Sequence, residues 1–333
     1  MIDRIYTIET GETNPYRNIG LEALLLEEVQ AGTCILYLWQ NRHSVIIGRN
    51  QNAWKECRVE KLESSGGFLA RRLSGGGAVY HDLGNLNFTF LVPREDYDSE
   101  KQSEVILRAL LKAGIKAQKT GRNDIETEGR KFSGNAFYLT GKNNYHHGTL
   151  LVNTDLNAAA EYLSVQTSKI KAKGVESVRK RIINLSEIRT DLSIPTLKKL
   201  LVAAFDEVYG FKSSSFDLRN INQAEKRLSA LEARFKDPGW KYGKNPPFRF
   251  ETSGRFSWGG VEIRIDSSEN RINEACIFSD AMDESFILAL AACLKGAPFS
   301  RQGVEDVLRR AFAGSPERLA CCDDIVSLLF TYP

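Results

Sequence analysis

The sequence predicts an α/β chain of the α+β kind, with a large sheet domain flanked by helices over residues 1–245 and a small C-terminal α+β domain over 250–333. Three observations carry this expectation. Leu86, Phe88, Phe90 and Val92 alternate with Asn87, Thr89 and Leu91, the period of two that marks a strand. Ile19, Leu21, Leu24, Leu25 and Val29 recur at helical spacing, as do Val105, Ile106, Leu110 and Leu111. Between these and a further group of strands and helices lies Asp237-Pro238-Gly239-Trp240-Lys241-Tyr242-Gly243-Lys244-Asn245-Pro246-Pro247, rich in the residues that punctuate structure. At 333 residues there is enough chain for two domains, and 42% apolar with 26% charged residues is ordinary globular composition.

In order, Asn14-Pro15 starts the first helix, which ends before Gly32. Cys34 to Trp39 and Ser44 to Ile47 are short apolar runs expected to form a β-hairpin through Gln40-Asn41-Arg42-His43. The strand through Leu86 to Val92 is expected to have one core face. Ser99 with Gln102 reads as a capping box for the next helix, closed by Gly114. In the run Arg130 to Tyr138, strand parity puts Lys131 on one face with Ser133 and Asn135, a plausible site wall. His146-His147-Gly148-Thr149-Leu150-Leu151-Val152 is another strand. Residues 169–181 are densely basic, which for an isolated run suggests a solvated helix face. Two amphipathic helices fill 195–236. The C-terminal domain reads as two strands, Arg255 to Asp266 and Ile272 to Ser279, followed by three helices.

Several functions are disfavoured. The longest apolar run, Phe286 to Leu294, is too short to cross a bilayer, and the N-terminus lacks the basic and apolar blocks of a secretory signal, so a cytoplasmic protein is expected. A net charge of +3 makes no case for nucleic acid. Six cysteines lack zinc-site spacing and read as reduced thiols.

The chemistry concentrates in Leu69 to Phe90, where Arg71-Arg72-Leu73-Ser74-Gly75-Gly76-Gly77 precedes a polar run, His81-Asp82-Leu83-Gly84-Asn85. Three glycines alone suit a tight turn in a β-hairpin. With two arginines and Ser74 beside them they suit an anion cradle, because a Cβ-free backbone lets a ligand approach the peptide N–H groups. No Lys-Ser or Lys-Thr follows, so this is not a Walker loop. Further candidates are Lys131, which in isolation reads as an exposed strand lysine, and Asn123-Asp124, where Asp124 could hold Mg²⁺ beside a nucleotide. His146 and His147, being adjacent on a strand, point to opposite faces and make a poor metal pair.

The stretch Arg71 to Asp82 with Gly84-Asn85-Leu86-Asn87-Phe88-Thr89 resembles the signature of the lipoate-protein ligase A family. Ile47 to Asn52, Gly121 to Asp124, Lys131 to Ala136, His146 to Leu151, Lys173 to Arg179 and Phe256 to Glu262 match it in order, so the likeness covers nearly the whole chain. It implies a fold shared with biotin ligases and class II synthetase catalytic domains. It also implies a two-step reaction: lipoate and ATP give lipoyl-AMP, then the acyl group passes to a lysine on a lipoyl domain of a 2-oxoacid dehydrogenase complex or on glycine-cleavage H protein. On this resemblance Lys131 is the essential catalytic lysine, expected to be a buried ammonium. Arg72, Gly77, Ala78, Val79, Tyr80, Asn123, Asp124, Lys173 and Gly174 would contact ATP or the adenylate, and Asp124 would hold Mg²⁺. Arg71, Ser74, Gly75, Gly76 and His147 would contact lipoate, Lys131 serving both. The basic run at 169–181 would be the adenylate-binding loop rather than a solvated face, and Leu73 stands where some members carry a third arginine. Rival readings are a transferase using pre-activated acyl groups, disfavoured because no cysteine stands near Lys131 or His147, a binding protein without turnover, and a biotin ligase.

Overall fold

The computed structural model describes residues 1–121, 123–163, 181–243 and 250–330. The chain divides into two compact units, the first of Met1–Ile46, Trp54–Arg72 and Ala78–Lys241, the second of Ile47–Ala53, Leu73–Gly77 and Tyr242–Pro333. Two short loops from early in the sequence thus belong with the C-terminal residues.

The strands in order are β1 Arg4–Glu9, β2 Thr33–Trp39, β3 Ser44–Ile47, β4 Phe68–Arg71, β5 Val79–His81, β6 Asn85–Pro93, β7 Gln118–Thr120, β8 Asp124–Thr127, β9 Arg130–Leu139, β10 Asn143–Leu151, β11 Ser214–Ser215, β12 Phe250–Phe256, β13 Gly259–Ser268 and β14 Arg271–Ser279. Among the described residues they form a mixed eight-stranded sheet, β11-β1-β2-β6-β10-β9-β8-β7, and two three-stranded sheets, β4-β3-β5 and β12-β13-β14. In the large sheet β1 runs parallel to β2 and β11, and β2, β6, β10 and β9 follow antiparallel.

Helix Pro15–Glu28 begins where expected, with Asn14 Oδ1 accepting from the Tyr16 N–H and a proline in the first turn, where a missing N–H costs nothing. Helix Ser99–Lys112 starts from Asp98 rather than a Ser99 capping box. The Asp98 carboxylate accepts from the Lys101 N–H at 2.9 Å, while Gln102 turns into the core. Helix Ile194–Tyr209 is capped by Ser193 and ends at Gly210 in the left-handed region. Phe88, Phe90, Val105, Ile106, Leu110, Phe132, Leu201 and Phe205 close the main core between the sheet and the helices Ser99–Lys112 and Ile194–Tyr209.

Three strand expectations need correction. β2 and β3 are not a hairpin: both edges of β2 are taken, by β1 and β6, so β3 leaves for a separate sheet. There β3 lies between β4 and β5, so the two strands flanking the glycines do not pair with each other and the simple hairpin-turn reading fails. β6 is buried on both faces, because Asn85, Asn87 and Thr89 are as inaccessible as the core residues between them.

In the second unit three strands replace the expected two. Ser257-Trp258 turns the chain between β12 and β13, and Glu269 and Asn270, both at positive φ, turn it between β13 and β14, a backbone that suits the strand twist of a two-residue hairpin. The three helices are Glu284–Leu294, Arg301–Ala311 and Pro316–Leu329. They close a core of Val261, Ile263, Phe286, Leu290, Leu308 and Ile325.

Candidate functional site

Cross-strand partners share a sheet face. One row across the large sheet runs Ala136, His147, Thr89, Tyr37, and its neighbour brings Thr149, Asn87 and Trp39 together. These residues are mostly polar, and all but Thr149 are buried. Glu22 reaches them from helix Pro15–Glu28, at 0% exposure. Its Oε1 accepts from Thr89 Oγ1 at 2.8 Å and lies 2.8 Å from His147 Nδ1, while Trp39 Nε1 donates to Thr89 Oγ1 at 3.0 Å. With Glu22 Oε1 as acceptor, His147 Nδ1 is the donor, so the carboxylate fixes the tautomer of the imidazole. Glu22 Oε2 and Asn87 Nδ2 are buried without a hydrogen-bond partner among the described residues.

Arg72 belongs to the same neighbourhood. It is buried, Nη1 donates to the Ile46 carbonyl at 3.1 Å, and burial lowers the guanidinium to about 10, with Tyr145 and Glu22 opposing. His81, bonded to Asn41 at 3.1 Å, is pushed down to about 3, first by burial and then by Arg72 and His147. It is neutral at physiological pH. Arg71, only 4% exposed, spends donors on the Trp240 and Lys241 carbonyls at 3.0 and 2.8 Å, and Trp240 Nε1 donates in return to the Arg71 carbonyl. The geometry shows a strut here. Tyr80 OH lies 3.1 Å from His43 Nδ1, and burial raises its phenol. Ala78 and Val79 beside it are half-buried.

Lys131 lies on β9 and reaches Asp124 on the neighbouring strand β8. Its Nζ is 2.7 Å from Asp124 Oδ1, at side-chain exposures of 38% and 37%, so the ammonium is half-buried rather than buried. Strand parity also failed here. Asp124 pairs with Gly134 and Ile125 with Ser133, but Glu126 pairs with Lys131, so Phe132 is an extra residue, a β-bulge. The bulge moves Lys131 off the Ser133 and Asn135 face: a Cβ built on Gly134 would lie 3.3 Å from Nζ. The ammonium therefore lies over Gly134, whose N–H donates to Thr149 Oγ1 at 3.2 Å, on the face that carries His147. Main-chain bonds from Lys131 N to Arg181 O at 2.7 Å and from Ile183 N to Lys131 O at 3.0 Å fix the backbone at the bulge.

Ser74, Gly75, Gly76 and Gly77 are in the second unit. Ser74 is fully buried and its carbonyl accepts from the Arg49 N–H at 2.9 Å. Gly76 takes φ +88°, and its N–H donates to Ala281 O at 3.2 Å. A Cβ on Gly75 would run into Ala281 O, and one on Gly48 into Gly76 O, so two of these glycines are required by protein backbone. A Cβ on Gly77 would meet nothing within 4 Å. Lys173 and Gly174, with most of the basic run, lie outside the described residues.

Sequence reasoning missed Glu22, Thr89 and Trp39. The one signal was an acidic residue set among the apolar positions of the first helix. His146 lies on the face opposite His147, as strand parity expects, and its partners there, Gln102 and Asn135, were not named from the sequence. Burial raises the thiols of Cys34, Cys57 and Cys322 to about 12. Among the described residues no helix is long and apolar enough to cross a membrane.

An ammonium held by a carboxylate thus shares a face of the mixed sheet with a buried acid-imidazole network. The description "Lipoyl protein ligase A/B catalytic domain" matches residues 14–206, and "Bacterial lipoate protein ligase C-terminus" matches 245–315. Lipoate-protein ligase A of Psychrobacter cryohalolentis is 38% identical over 331 residues, 97% of each chain. Among solved structures, P. falciparum LipL1 in complex with lipoate superposes with a TM-score of 0.84 at 30% identity, covering 98% of this chain and 100% of that one. Lipoate-protein ligase A bound with ATP gives 0.62 at 27%, covering 73% and 99%. The bi-partite lipoate protein ligase structure from Thermoplasma acidophilum, described with its E2 lipoyl domain, gives 0.64 at 27%, covering 75% and 100%. The chain belongs to the lipoyl protein ligase A/B family, and is with it a ligase.

Proposed function

We propose that this protein activates lipoate with ATP and attaches the lipoyl group to a lysine of an acceptor domain, with residues 1–245 as catalytic domain and 250–333 as accessory domain. The observation that carries the reading is the Lys131–Asp124 pair at 2.7 Å, set over Gly134 on the face that holds His147. The relatives that carry lipoate or ATP in their names support it.

In the first step a lipoate carboxylate oxygen attacks the α-phosphorus, the bond to the bridging oxygen breaks, and pyrophosphate leaves. Two anions must approach, and a fixed ammonium offsets the charge that builds at the phosphoryl oxygens. Lys131 is that ammonium, and Asp124 holds it in direction without burying it. In the second step an acceptor lysine amine attacks the acyl carbonyl, the C–O bond to AMP breaks, and the amine proton leaves to solvent. Lys131 then faces the oxygen that becomes negative. Arg72, Asn123 and the loop through Gly77, Ala78, Val79 and Tyr80 serve the nucleotide, and His147, with its Nδ1 held by Glu22, lines the acyl group.

Magnesium fits this arrangement only with the nucleotide. Among the described residues no three His, Cys, Asp or Glu gather as ligands, and Mg²⁺ commonly takes one or two carboxylates with phosphate oxygens and water. Asp124 would be the carboxylate, and the ion's contribution is to neutralise phosphate charge. Acceptors of the expected kind are the lipoyl domains of 2-oxoacid dehydrogenase E2 subunits or glycine-cleavage H protein.

The test is incubation with ATP, Mg²⁺, lipoate and an apo lipoyl domain, followed by intact mass. A single lipoyl addition dependent on both ATP and lipoate is expected. An addition that proceeds from a lipoyl donor but never from lipoate with ATP would replace this reading with a transferase.

A further inference from the structure

His146 plays no part in the face just described, yet its surroundings are built for it. It is 1% exposed, on the core face of β10, ringed by Phe88, Phe90 and Phe137 at 5.5, 6.0 and 4.8 Å between centroids. Its Nε2 lies 2.9 Å from Asn135 Oδ1 and its Nδ1 3.2 Å from the Gln102 amide on helix Ser99–Lys112. Asn135 passes the connection on: its Nδ2 and its main-chain N–H both donate to the Asn123 carbonyl, at 2.9 and 2.7 Å. Asn123 directly precedes Asp124, which holds Lys131. A polar line thus crosses the sheet from a core helix to the Lys131 ammonium.

The protons along this line can be assigned. Burial, with smaller effects from His147 and Lys119, pushes His146 down to about 3, so it is neutral and has one N–H and one lone pair. Asn135 commits Nδ2 to Asn123, so its Oδ1 accepts and His146 Nε2 carries the hydrogen. Nδ1 is then an acceptor, and Gln102 must offer it an amide N–H. Turning the Gln102 amide does this, and it gives a partner to the Gln102 Nε2, otherwise buried without one.

We infer that Gln102, His146 and Asn135 form a positioning relay that sets, from the core side of the sheet, the direction in which Asp124 presents Lys131 to the reacting groups. The bulge at Phe132 makes such a device necessary, since a strand that departs from the regular ladder loses part of the pairing that would otherwise hold β8 against β9. The inference rests on Lys131 being the reacting ammonium, as proposed above.

The test is lipoate-dependent ATP–pyrophosphate exchange, with kcat and KM taken separately, on four single variants and one double. His146→Phe keeps a ring and removes both bonds, His146→Gln keeps a donor near the Nε2 position, Asn135→Ala breaks the next link, and Lys131→Ala is the control. A misplacement of about 1 Å at a reacting group costs up to about a hundredfold. His146→Phe and Asn135→Ala are each expected to lower kcat about tenfold or more with KM for lipoate and ATP unchanged, and His146→Gln to recover most of the loss. The double His146→Phe/Asn135→Ala should be no slower than the worse single variant, because one relay is broken twice. Parent-like kcat in folded Asn135→Ala overturns the relay, whether or not His146→Phe folds. So does a loss in His146→Phe that His146→Gln does not recover. If Lys131→Ala exchanges like the parent, it is the assignment of Lys131 that falls, a result separable from the others.

Discussion

The two faces of the β9–β10 ribbon are built from alternate residues of the same few segments and do opposite work. On one, His147 meets a carboxylate, Thr149 accepts from Gly134 and Lys131 stands half in solvent with Asp124. On the other, His146 is sealed among phenylalanines and bonded only to amides. Adjacent imidazoles therefore acquire different surroundings: one is bonded to a carboxyl group, the other is held neutral by burial. The difference shows how one pair of strands can put a half-exposed ammonium–carboxylate pair on one side and a sealed, neutral imidazole on the other.

The largest expected effect breaks the reactive side. Lys131→Ala should lower lipoate-dependent pyrophosphate exchange by about a hundredfold to a thousandfold, the usual cost of losing one charge-stabilising donor, with the thermal midpoint nearly unchanged. On the core side Gly148→Ala is expected to destabilise by about 1 to 3 kcal/mol in urea unfolding, because the new Cβ would lie 2.6 Å from the Phe88 ring and 2.8 Å from Asn135 Oδ1. Glu22→Leu should cost a similar amount, about 1 to 3 kcal/mol, by leaving the His147 Nδ1–H and the Thr89 hydroxyl without their acceptor, whereas Glu22→Gln, which keeps an acceptor, should stay within about 1 kcal/mol of the parent.

Acid sharpens the contrast between neutral and charged histidines. His81 and His146 sit near 3 when folded and about 6.5 unfolded, so the unfolded chain binds more protons between these values. Their contribution is complete above about 6.5 and is lost as pH falls toward 3, on the order of 1 kcal/mol per pH unit for each. Glu284 in the second unit has the opposite sign: burial raises it to about 7, so its protonated form adds stability below about 4.5 that is lost as pH rises through 7. Unfolding followed by probes in each unit from pH 4 to 8 should show the first unit weakening with acid and Glu284→Gln removing a loss at the alkaline end of the second. The smallest effect is Thr149→Val, about 1 kcal/mol, from the lost acceptor of the Gly134 N–H.

Much of the frame was legible in the sequence because local rules acted alone there. Asn14-Pro15 starts a helix wherever it is placed, and the helices after Ser193 and in the C-terminal part follow their apolar spacing. Tertiary competition defeated the rest. β3 reads as the return strand of a hairpin until β6 takes the edge of β2. Parity put Lys131 with Ser133 because a bulge leaves no mark on hydrophobic alternation. Of the site, Lys131, Asp124 and His147 could be named from motifs, but Glu22 could not, since its meaning arises only when a helix lays one carboxylate onto strand residues far away in sequence. The glycines were legible as a place of close approach, although Gly75 and Gly48 approach protein backbone.

The bond from the Gly76 N–H to the Ala281 carbonyl has a practical consequence. That amide is shielded only while residues 73–77 stay clasped to the turn before helix Glu284–Leu294, so its deuterium uptake would time the opening of the clasp. One labelled glycine thus becomes a clock for the loop.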